Sequence, residues 1–69
     1  MKVYVIVEHA GTPNEKIVAT SAADNEFDAI AGFLRAKGRD ITNREWNEMR
    51  DRGYSCEPAE LTLLREVGK

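Results

Sequence analysis

Two side chains in this sequence could begin covalent chemistry, the thiol of Cys56 and the imidazole of His9, and each is the only one of its kind. A cysteine becomes a nucleophile when a base lies within hydrogen-bond reach and a third group orients that base. No third group stands at a telling offset from either residue, so the pair exists only if the fold joins positions 9 and 56. The expected reading is plainer: a partly buried structural cysteine, and a histidine at a strand end near a loop. A single cysteine excludes an internal disulfide and every paired-cysteine zinc or redox motif, and a single histidine leaves no second imidazole ligand. Asp24, Glu26 and Asp28 crowd together, but a helix start attracts such charges. With the scattered carboxylates elsewhere they have neither zinc nor calcium spacing. Gly11-Thr12 lacks the Gly-rich frame and the closing Gly-Lys-Ser/Thr of a phosphate loop. Catalytic residues, metal ligands and cofactor-binding residues are therefore all expected to be none, and no enzyme is expected in a chain of 69 residues with little length to wall a pocket.

Charge gives a second possible chemistry. Residues 35–52 carry Arg35, Lys37, Arg39, Arg44, Arg50 and Arg52 against four acidic residues, in a chain whose net charge is −2. Two helices joined by Gly38-Arg39-Asp40-Ile41 have the layout of a helix-turn-helix, with Thr42–Arg52 as the reading helix. The net acidity opposes the phosphate attraction that supplies most non-specific affinity. Arg44 with Glu48, and Glu48 with Arg52, are spaced to satisfy one another on a solvated helix face. Nucleic acid is thus the alternative partner and not the expected one. The apolar run at the amino end is five residues, too short to span a bilayer, so no membrane is expected. A small chain without disulfide staples fits a reducing compartment, and a cytoplasmic location is expected.

The elements that position these groups follow from periodicity. Val3 to Val7 alternates Val3, Val5 and Val7 with Tyr4 and Ile6, and apolar residues on both sides suggest a central strand. Ala10 to Glu15 is turn-rich, and Lys16 to Thr20 reads as a second strand that closes a hairpin. Phe27, Ile30, Ala31 and Leu34 then fall along one helix face. Ser21 or Asp24 is the expected cap, and Gly38 the stop. A second helix has Thr42 and Glu45 as a capping box, and Ile41 stapled on Trp46. Gly53 ends it, with Tyr54 folding back on Met49.

The carboxyl end has two readings. Pro58 and Glu60 suit a helix start, with Leu63, Leu64 and Val67 on one face and Gly68 as its end. A strand over Leu61–Val67 would instead complete the sheet, since a lone hairpin is weak. The expected fold is α+β across residues 1–69 as a single compact domain. It is a small antiparallel sheet with two helices on one face in the order ββααβ, with ββααα as the alternative. Two helices cover one sheet face, which leaves the other apolar. Tyr4, Ile6 and Leu64 are accordingly the expected contact residues for another protein of unknown identity, with a homodimer as one form of that contact. Small inhibitors, adaptors and regulatory subunits, including host-interaction proteins of phages, share these traits. A ligand-binding domain or an orphan enzyme is the third reading.

Overall fold

A computed structural model describes residues 1–67, with side chains through Arg65. It has three antiparallel strands, in the order β2-β1-β3, and three helices. The elements are β1 (Lys2–Glu8), β2 (Lys16–Ala23), α1 (Glu26–Ala36), α2 (Asn43–Asp51), β3 (Ser55–Pro58) and α3 (Ala59–Val67). The class is α+β, and the order ββααβα joins the two expected endings. A strand and a helix both follow α2. The strand is not at Leu61–Val67 but at Ser55–Pro58, where Tyr4 to Val7 of β1 pair with Pro58 back to Ser55. Leu61–Val67 is helical. Val67 as an inward residue and Gly68 as a helix end lie outside the described residues. The four-residue β3, Ser-Cys-Glu-Pro, has no apolar alternation; the pairing it offers β1 is what makes it a strand.

β2 runs three residues further than its pattern suggested. Ser21, Ala22 and Ala23 pair with Tyr4, Val3 and Lys2, so the ladder of β1 claims residues whose local pattern suits a helix start. The cap of α1 is therefore neither Ser21 nor Asp24 but Asn25, whose side chain accepts from the Asp28 amide at 2.9 Å. At the other end, Gly38 sits at φ 70°, and its amide and that of Arg39 donate to the carbonyls of Arg35 and Leu34. Gly53 ends α2 the same way at φ 100°, with Tyr54 donating to Met49. Both closures need a left-handed residue, and glycine takes that shape without a Cβ clash. Thr42 caps α2 by accepting from the Glu45 amide. Glu45 does not complete the expected box; its carboxylate instead takes Arg39 at 2.6 Å.

The core sits between the sheet and the first two helices. Ile6, Phe33, Leu34 and Met49 form its centre, joined by Trp46, Tyr54 and Cys56, while Tyr4, Ala23 and Ala29 extend it toward the β1 start. Phe33 meets Trp46 edge-on, with ring centroids 6.5 Å apart. Trp46 and Met49 thus belong to the main core, and Ile41 stays largely exposed beside Trp46. Phe27 does not pack on the sheet; it is 64% exposed, and Ala29 and Phe33 hold the inner face instead. The helix starts only at Glu26, so Phe27 belongs to its first turn, where it borders a groove with Ile41 and Trp46.

Candidate functional site

Tyr4 and Ile6 were expected to face a partner. They are 7% and 0% exposed and lie inside the core under α1 and α2. The physical reason is that the helices chose the Tyr4–Ile6 side of β1, so the opposite side carries Val3, Val5 and Val7. Their cross-strand neighbours Ala22, Thr20 and Ile17 share that side. Helix α3 packs there, against β1 and β3. It buries Val5 and Val7 and leaves Val3 more than half exposed. The β2 part of this face, with Ile17, Thr20 and Ala22, is exposed.

How α3 is attached matters more than that it is present. Among the described side chains of α3, Thr62 is the one that is fully buried, and its hydroxyl donates to a Glu57 carboxylate oxygen at 3.3 Å. Arg65 reaches Glu57 and Glu15, donating through Nη1 to Glu57 at 3.0 Å and through Nε to Glu15 at 3.0 Å. Its Nη2 also contacts Glu57. Bidentate guanidinium–carboxylate pairing of this kind fixes orientation, and these carboxylates hold Arg65 protonated above its ordinary range. The helix is thus pinned by polar groups. Its leucines point the other way: Leu61 and Leu63 are more than half exposed, and Leu64 is 71% exposed. Leu61 shares a shallow groove with Met1, Val3 and Pro58. Of the three expected contact residues, only Leu64 is on the surface, where Leu61 and Leu63 of the same helix are exposed too. The signal for them was in the sequence, because the Leu61-Thr62-Leu63-Leu64 run has its single polar residue at the position that faces the sheet.

The groups considered for covalent chemistry are apart. Cys56 pairs with Ile6, whereas His9 lies beyond the end of β1, three residues on from Ile6. Burial, with Glu26 and Glu57 nearby, pushes the Cys56 thiol up to about 11, which keeps it protonated and a poor nucleophile at neutral pH. His9 turns at φ 57° at the strand end and contacts Glu8 at 3.1 Å. Glu8 also accepts from the Tyr54 hydroxyl at 3.1 Å and lies 3.6 Å from Lys16. The Tyr54 hydrogen bond, aided by Lys16 and His9, holds the Glu8 carboxyl below its usual value. Among the described residues no group of three or more metal-ligating side chains converges.

The basic residues of 35–52 do not form one free stripe. Arg39 is paired with Glu45, Arg44 lies 3.8 Å from Glu48, and Arg50 donates to Asn47 at 2.8 Å. Lys37 sits 5.9 Å over the Phe33 ring. Arg35 and Arg52 are exposed. No helix of the described residues is long and apolar enough to cross a membrane. Comparison with protein-family models, with curated proteins and with solved structures finds no match.

Proposed function

We propose that this chain is a small non-enzymatic interaction domain, of the inhibitor, adaptor or regulatory-subunit type, which meets another protein through the outward face of α3 and the adjoining Val3. One observation carries the reading. Of the described side chains of α3, Thr62 is buried against the sheet and Arg65 is ion-paired at the surface, while three leucines face water. Exposed leucines are costly to keep, since burying one stabilises by roughly 1.5–3 kcal/mol. A helix serving only the fold would turn them inward. Grouped apolar side chains on a small surface mark a protein contact, and the neighbouring open face of Val3, Ile17 and Ala22 enlarges it.

The test is capture of partners from the native cell with three baits: the wild-type chain, the double variant Leu61→Lys/Leu64→Lys, and Phe27→Lys. The last removes the exposed phenylalanine of the α1–α2 groove. A protein retained by wild type and Phe27→Lys but lost with the double variant supports the reading. A partner insensitive to the leucines and lost with Phe27→Lys moves the contact to the other groove. Nuclease treatment that removes all captured proteins would instead favour nucleic acid and the Arg35 and Arg52 side.

A further inference from the structure

The sheet ends in two edges of opposite character. β3 is four residues long and contains Glu57 and Pro58, the short length, charge and proline by which natural edges resist pairing. β2 is eight residues long, has no charged residue from Ile17 to Ala23 and no proline, and among the described residues pairs only with β1. Its outer row of amides and carbonyls is a template for another strand.

We propose that the occupant of this edge is a second copy of the chain, joined antiparallel along β2 so that two three-stranded sheets become one of six strands. The charges at the ends of β2 select the partner and its direction. Lys16 stands at one end, and Asp24, Glu26 and Asp28 stand at the other, all exposed. Antiparallel pairing of two copies sets each Lys16 beside the acidic end of its neighbour, whereas parallel pairing stacks like charges. A register centred on Thr20 brings Lys16 opposite Asp24. Within one chain Lys16 lies 3.6 Å from Glu8, and Asp24 lies 4.0 Å from the amino terminus, with both side chains well exposed to accept a further partner. Such a pair has two-fold symmetry, so each contact is made twice.

The geometry also sets the strength. The ladder shifts register between Ile6 and Val7, which leaves Val18 as an extra residue in β2, so about Thr20 the regular stretch common to both copies is short, Ala19–Ser21, and the Lys16–Asp24 pairs lie beyond the bulge. A contact of that length belongs with small, transient interfaces, below about 1,200 Å². The dimer is therefore weak and concentration-dependent. It would also bring together the two open half-faces of Thr20 and Ala22, but the pairing stands independently of the α3 reading.

Sedimentation equilibrium of the full chain from ~10 μM to ~1 mM tests it, that range spanning weak association. The expected result is a mass rising from 7.8 kDa toward twice that value. Thr20→Lys, which sets two like charges at the symmetry axis, is expected to weaken the dimer by at least about tenfold. Lys16→Glu also weakens it, and Lys16→Glu/Asp24→Lys restores it. Should Thr20→Lys lower the unfolding midpoint, Ala22→Lys, at another exposed position of the edge, repeats the test. A wild-type chain that stays monomeric to ~1 mM overturns the proposal. So does a dimer that survives Thr20→Lys and is lost with Leu64→Lys, or a double charge reversal that fails to restore association.

Discussion

The two faces of this sheet are covered by opposite means. On the Tyr4–Ile6 side, α1 and α2 bring Phe33, Leu34, Met49 and Trp46 down onto the strand, and the contact is apolar. On the Val5–Val7 side, the described side chains of α3 bring Thr62 down, tie Arg65 to Glu57 and Glu15 at the surface, and leave the leucines outside. The first arrangement is what hydrophobic burial alone produces. The second buries Val5 and Val7 but adds hydrogen bonds whose net worth is smaller, because carboxylate and guanidinium both give up water to meet. The difference is one of composition: α1 and α2 meet the sheet through apolar side chains, whereas the described side chains of α3 hold it through Thr62 and the Arg65 ion pairs and leave Leu61, Leu63 and Leu64 exposed.

Substitutions that break the comparison most severely lie in the first face. Leu34→Ala removes a side chain that is 1% exposed from the core centre, and should cost about 3–4 kcal/mol in denaturant unfolding. Val7→Ala, equally buried but under α3, should cost about 2 kcal/mol, in keeping with its smaller volume. Equal losses would mean that α3 packs as tightly as α1. Trp46→Ala should lower stability by about 2 kcal/mol, since the ring is half-buried against Phe33; an unchanged midpoint would place Trp46 on a binding surface instead.

Arg65→Ala sharpens the comparison on the other side. Amide exchange in α3 should quicken while α1 keeps its protection, because the ion pairs join α3 to Glu57 and Glu15 and do not touch the first core. A smaller effect comes from acid. The Glu8 carboxyl titrates below its ordinary value of 4.5 in the folded chain, so its contribution is present above that pH and is lost as pH falls through the lowered value. Tyr54→Phe removes the first cause of the shift, and midpoints measured between neutral pH and pH 3 should then fall less steeply. Identical acid profiles for the two proteins would show that the Tyr54 hydroxyl does not hold Glu8.

Much of this fold was legible because its helices carry local instructions. Gly38 and Gly53 close α1 and α2, and Thr42 opens α2, through contacts within a few residues. What was misread depends on long-range pairing. The extension of β2 to Ala23 and the existence of β3 both come from what β1 offers across the sheet, and neither stretch shows the alternation that marks a strand alone. Tyr4 and Ile6, read as surface residues, lie in the core for a related reason. Two apolar sides on β1 announce that both must be covered, but only packing decides which side the larger helices take. They took Tyr4 and Ile6, and of the expected residues only Leu64 remained on the surface.

The central claim is that the leucines of α3 are not part of the folding core. It is tested most directly by denaturant unfolding of Leu61→Lys/Leu64→Lys beside Leu34→Ala. The double variant should unfold within about 0.5 kcal/mol of wild type, as exposed positions do, while Leu34→Ala loses about 3 kcal/mol or more. A double variant that loses as much stability as Leu34→Ala would contradict the account, because those leucines would then be holding the chain together.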